Sequence, residues 1–188
     1  MELSPGTVLL VLVPGVILLW GVTTANRFVR LRQHLRESWA DIQVELKRRY
    51  DLIPNLVATV KGYASHEREV LTRVVELRNR AAASAGNAAS QSKDETELML
   101  GMKQLFALAE GYPELKADQH FLEPQKQLAL TEDRIAAARR FFNSNVRTLN
   151  ILRESVPTNL IARVMSVEEE TFFELEDEAE AVVPRIGL

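Results

Sequence analysis

Residues 7–25, TVLLVLVPGVILLWGVTTA, form a 19-residue stretch without a charge. At ~1.5 Å per residue a helix of that length spans ~28 Å, about one hydrocarbon core. The pattern predicts a transmembrane helix over the first part of the chain. A cleaved leader would open on basic residues, but only Glu2 is charged before the apolar run, while Arg27, Arg30, Arg32 and Arg36 follow it. Arginines on that side place the N-terminus outside and the remaining chain in the cytoplasm. Trp20 suits an interfacial position, and Pro14-Gly15 is tolerable in lipid. The competing element is a buried core helix, which would show a polar face; this stretch shows none.

Beyond the arginines the pattern becomes amphipathic. Apolar positions recur by threes and fours through Trp39, Ile42, Leu46, Arg49, Ile53, Leu56, Val60, Tyr63, Glu67, Val70, Val74 and Leu77, with only Arg49 and Glu67 breaking the seam. That spacing predicts one long helix packed along its length. Pro54 sits inside it and should kink it without ending it, since the register holds on both sides. The alternative is two helices, the second capped by Asp51. Residues 80–95 are small and polar and read as a loop. Leu98, Met102, Leu105, Phe106 and Ala109 then line one helical face, which Gly111 and Pro113 end. A last long helix is expected from about residue 121 to 152, with Leu128, Ile135, Phe142 and Leu149 spaced by seven and Ala138, Asn145 and Leu152 completing the stripe. Pro157 breaks it, and Leu160, Ile161, Val164 and Met165 predict a short amphipathic helix. The predicted fold is all-α: an N-terminal transmembrane helix followed by an antiparallel helical bundle of three long helices plus a shorter C-terminal helix. The expected divisions are 1–26 for the anchor, 27–166 for the bundle and 167–188 for an acidic C-terminal segment. Eight acids lie between Glu168 and Glu180, a run that reads as solvated, although the Phe172-Phe173 pair within it offers a docking point.

Composition narrows the function classes. A chain of 188 residues, 46% hydrophobic and 26% charged, holds the core of one domain. A net charge of -3, with arginines that do not interleave with aromatics, argues against nucleic acid as a partner. Cysteine is absent, which removes disulfides, thiolate nucleophiles and Cys-based metal sites. His66-Glu67 begins like HExxH, but Val70 stands where the second histidine belongs. No paired Glu-x-x-His is present for a bundle di-metal site with Glu132 and Asp133. Ser65 beside His66 makes no triad. His34 and His120 read as surface histidines, the latter in a loop. Neither catalytic, cofactor nor metal residues are therefore expected, and the chain is expected not to be an enzyme.

LKRRYDLIPNLVATVKGYASHE, AEGYPELKADQHF and TEDRIAAARRFFNSNV occur in that order behind the apolar segment. These blocks resemble those of the LemA family of bacterial membrane-anchored helical proteins, and the likeness runs from about residue 30 onward. Phe142 stands where the family often has tyrosine. The resemblance implies a helical bundle with one membrane anchor and no defined enzymatic activity.

Polar residues cluster in two of the predicted helices. Arg48, Arg49, Asp51, Asn55, His66 and Glu67 lie in the first, and Glu132, Asp133, Arg134, Arg139, Asn143 and Asn145 in the last. Antiparallel packing would bring acids of one to arginines of the other, as a partly buried network fixing register beside the Pro54 kink. There the Tyr50 carbonyl loses its helical donor and needs another. Two functions remain: an interaction or scaffold module at the bacterial membrane, bound to the lipid bilayer and to a protein partner or its own copies; or a small-ligand or ion sensor using polar groups near His66.

Overall fold

A computed structural model describes residues 5–84 and 88–175. Among them are six helices and no strand: α1 (Pro5–Tyr63), α2 (Arg68–Ala83), α3 (Ala88–Glu110), α4 (Pro113–Ala117), α5 (Gln119–Glu154) and α6 (Thr158–Val164). The fold is all-α. The chain forms two compact units, Met1–Glu37 with Ser144–Glu170, and Ser38–Asn143 with Thr171–Leu188, as far as the described residues go.

The charge-free stretch lies within α1, a single helix of 59 residues. Residues 10–19 are all exposed. By length and composition α1 is the one helix among the described residues long and apolar enough to cross a membrane, and only 6% of its apolar window is buried. Burial begins at its end, where Thr24, Phe28 and Leu35 turn inward. They share their unit with Val146, Leu149 and Leu152 of α5, Ala162 of α6 and Val167, all buried. At Gly21 a Cβ would lie 3.8 Å from Ile161 Cδ1, which puts α6 against the end of the apolar run. A Schellman motif closes α6: the Val167 amide donates to Ala162 O at 2.9 Å and the Ser166 amide to Arg163 O at 3.1 Å. Ser166 takes φ 48° there, a position glycine usually fills.

The second unit pairs the rest of α1 with α5. As residue numbers rise along α1 they fall along α5: Trp39 meets Phe142, Arg49 meets Glu132, and Thr59 meets His120. The helices are therefore antiparallel. The expected seam is buried from Ile42 through Val60, with Trp39 half-buried. It then changes, because α1 stops at Tyr63, Ala64 turns inward, and residues 65–67 form an exposed turn before α2 resumes the pattern at Leu71, Val74 and Leu77. Continuity through Pro54 is settled in favour of one helix; the break comes at Ala64 and not at an Asp51 cap.

In the second unit Pro54 of α1 and Pro124 of α5 sit inside helices, and each leaves the carbonyl four residues back without its amide donor. The Tyr50 carbonyl, orphaned by Pro54, accepts from Arg78 Nε at 2.9 Å. The His120 carbonyl, orphaned by Pro124, accepts from the Thr59 hydroxyl at 3.3 Å, a proton shared with Asn55 O at 3.0 Å. Neighbouring helices thus replace what the prolines remove.

The expected loop over residues 80–95 is overturned. Helix α2 runs to Ala83 and α3 begins at Ala88, burying Ala88, Gln91, Glu95 and Leu98 on one face at spacings of three and four. Ala, Ser and Gln form helix well enough when packing supplies a face. Gly101 lets α2 and α3 approach, since a Cβ there would fall 2.7 Å from Leu77 Cδ1. Asp118 caps α5 by accepting from the His120 amide at 2.9 Å, so His120 lies in a first helical turn rather than a loop. That amide first, and the Tyr63 hydroxyl at 2.9 Å second, hold the Asp118 carboxyl below its usual range. In α6 the expected apolar face is packed only in part: Ile161 and Met165 are half-buried, Leu160 and Val164 are exposed, and the fully buried residue is Ala162.

Candidate functional site

Three helices of the second unit converge on Arg49, a seam position of α1. Its side chain is only 1% exposed, yet it carries the one full positive charge buried among the described residues. Such a charge is costly to bury unless every side is paired. Glu95 of α3, 0% exposed, pairs with one guanidinium nitrogen. Glu132 of α5, reaching the surface at 19% exposure, takes the other at 3.0 and 3.2 Å, and Met99 Sδ lies 3.1 Å from the same nitrogen. Burial alone would lower the Arg49 pKa, but the two carboxylates outweigh it and raise it, so the guanidinium stays charged.

A second layer surrounds Glu95. The Tyr50 hydroxyl donates to its carboxylate, and Gln91 Nε2 donates to Glu95 Oε1 at 2.9 Å and the Tyr50 oxygen at 3.0 Å. Tyr50 and Gln91 also reach the Ala81 carbonyl near the end of α2, at 3.3 and 3.2 Å. The cluster therefore touches four helices. Burial, then the Glu95 charge, push the Tyr50 pKa up, and the phenol stays protonated. Arg49 Nε and Gln91 Oε1 are buried without a hydrogen-bond partner. With Arg49 pinned as a cation and Tyr50 as a neutral phenol, these two groups carry no proton that leaves near neutral pH.

Of the residues the sequence singles out, the structure brings Arg49 and Glu132 together and disperses the others. Arg48 pairs with Glu45 on the surface at 3.3 Å, and Asp51 lies 3.8 Å from Arg78. Asn55, Glu67 and Arg134 are exposed, and His66 sits exposed in the turn before α2. Arg139 is half-buried on α5. Asn143 does something else: its Nδ2 donates to Phe173 O at 3.0 Å and its Oδ1 accepts from the Phe173 amide at 2.9 Å. The Ser92 hydroxyl clamps the next residue, Glu174, through both backbone groups. Phe173 is wholly buried, with Trp39 edge-on at 5.4 Å, whereas its neighbour Phe172 stays exposed. Within the other unit Asn150 clamps Glu170 in the same way, at 2.8 and 3.0 Å. Of the acidic run, Glu176, Asp177, Glu178 and Glu180 lie outside the described residues. Arg27, Arg30 and Arg36 are exposed, while Arg32 donates to Ser166 O at 3.2 Å. Among the described residues no three His, Asp or Glu side chains gather in metal-binding geometry.

Glu95, Gln91, Tyr50 and Arg78 were not among the sequence's candidates. A signal for two of them exists: stepping back from Leu98 by three and four along the apolar face lands on Glu95, Gln91 and Ala88.

A profile of the LemA family matches residues 38–187. The chain is also similar to Protein LemA of Metamycoplasma hominis, at 22% identity over 164 residues, covering 87% of this chain and 75% of that protein.

Proposed function

Because the chain belongs to the LemA family, we propose that it acts by binding and not by catalysis, as a membrane-anchored interaction or scaffold module at the bacterial cytoplasmic membrane. One observation carries this reading. Helix α1 holds both an apolar window only 6% buried and, further along, the buried seam that carries Arg49. Lipid is the natural cover for the first part, and the second part builds a bundle whose buried charges are used up in holding helices together. The exposed Arg27, Arg30 and Arg36 after the window favour the N-terminus outside and the bundle in the cytoplasm.

Cross-linking of the full chain in native membranes should trap a defined larger species, either with a partner or with its own copies. A chain that remains monomeric and partner-free in a native membrane extract would overturn the reading. Protease added to intact cells should spare a tag placed after Leu188 until lysis. Digestion before lysis would reverse the orientation and turn the partner search to the envelope.

A further inference from the structure

The unit containing the start of the chain carries an apolar surface that its own fold leaves uncovered. Val156 is 83% exposed, Leu160 57% and Val164 85%, on helix α6 and the turn before it. Single exposed aliphatics are ordinary, but Leu160 and Val164 stand one helical turn apart on the same face of α6, and Val156 is exposed in the turn that leads into it.

Its position says what covers it. Ile161, between these residues, sits against Gly21, where an added Cβ would lie 3.8 Å from its Cδ1. Gly21 is four residues, or ~6 Å along a helix, inside the end of the charge-free run. Whatever packs there lies at the membrane boundary if the run spans the bilayer. The charges nearby suit that boundary. Arg163 is exposed on α6, and Arg27 and Arg30 follow the run on α1, so cations are available to anionic headgroups. The nearby acids are engaged away from α6: Glu154 and Glu169 each lie 3.6 Å from Arg153, and the backbone of Glu170 is held by Asn150, a turn further back along α5, while Glu168 stays exposed.

We propose that α6 and its preceding turn form a second membrane contact, in which Val156, Leu160 and Val164 enter the interfacial layer of the bilayer beside the anchor. The proposal rests on the membrane-anchored reading of α1. It makes α6 a short interfacial helix with its apolar side in the headgroup boundary and Arg163 at the headgroups.

The chain has no cysteine, so single-cysteine variants take a spin label without background. The full chain is reconstituted into vesicles of mixed zwitterionic and anionic phospholipid. Labels at Val164→Cys, Leu160→Cys, Val13→Cys in the apolar run and Ser144→Cys on an exposed part of α5 are compared for collision with oxygen, which concentrates in lipid, and with a nickel chelate, which stays in water. The expected oxygen-to-nickel ratio at Val164→Cys and Leu160→Cys is severalfold above that at Ser144→Cys and approaches that at Val13→Cys. A ratio at both equal to Ser144→Cys, with Val13→Cys still lipid-like, overturns the proposal and leaves the anchor reading standing. Shielding of both from either reagent overturns it in favour of a second copy seated on the patch. An aqueous ratio at Val13→Cys removes the anchor reading and this proposal with it.

Discussion

Arg49 shows how one residue decides between stability and specificity. A methionine would fill the space more cheaply, but Glu95, wholly buried, would then stand without its cation. Arg49→Met is expected to cost about 3–5 kcal/mol in chemical denaturation. Arg49→Met with Glu95→Leu should cost less than the single change, because Tyr50 and Gln91 retain the Ala81 carbonyl as an acceptor. A double variant no better than the single one would show that the charge pair is not the source of the loss. Tyr50 gives the cluster a pH signature. Its folded pKa lies above the ordinary value of 10, because burial and Glu95 disfavour the phenolate. Its contribution is therefore fully present below about pH 10, and above that it is lost as the unfolded chain releases a proton the folded chain keeps. Stability measured from pH 9 to 11 should fall, and Tyr50→Phe should remove that part of the slope. At Ser166, where φ is 48°, Ser166→Gly should raise stability by roughly 0.5–1 kcal/mol, since the backbone hydrogen bonds of the cap do not involve the side chain.

At the scale of elements, helices here survive their own prolines. Pro54 is exposed on the outer face of α1, and the Arg78 guanidinium supplies the donor the Tyr50 carbonyl lost. Removing Arg78 alone leaves that carbonyl unsatisfied, at about 1–3 kcal/mol. In Pro54→Ala the backbone amide returns and Arg78 is no longer needed there. A double-mutant cycle of Arg78→Met and Pro54→Ala should show a coupling of ~1 kcal/mol or more, and zero coupling would break the argument. The need for a donor at Tyr50 O was legible in the sequence, because proline chemistry is local; that Arg78 meets it was not, because α2 folds back only after a turn over residues 64–67 that itself holds no glycine or proline. The long seams were readable for the same local reason, since a 3-4 spacing of aliphatics has few alternatives. Glu95 and Gln91 were missed because polar residues at small-residue spacing look like a loop until a buried arginine opposite gives them a reason to face inward. Of the candidate site, only Arg49 and Glu132 could be paired by reading two antiparallel stripes against each other. Asn143 was noticed for the right polarity, but its partner is the backbone of a distant extended segment, and an extended segment has no periodicity to read.

On the scale of the whole molecule, the chain leaves the second unit at Asn143, builds the first unit through Glu170, and returns to the second at Thr171. What secures the return is small: the Phe173 ring among aromatics, the Asn143 clamp and the Ser92 contact. Residues 171–175 belong to no helix, so their hold is side chains gripping backbone, and losing one grip should free the segment before it melts the helices. Trp39 reports this directly, because its ring centroid lies 5.4 Å from Phe173 and 5.3 Å from Phe142. With Trp20→Phe removing the only other tryptophan, Phe173→Ala should shift Trp39 emission to the red and open the segment after residue 170 to protease, while helical circular dichroism at room temperature stays unchanged. The loss in unfolding free energy should fall short of the roughly 3–5 kcal/mol typical of a phenylalanine deleted from a core, since an undocked segment leaves no sealed cavity behind. A full core-sized loss with no early proteolysis would instead make Phe173 part of the bundle interior in its own right, closing the end of the unit where Trp39 and Phe142 meet.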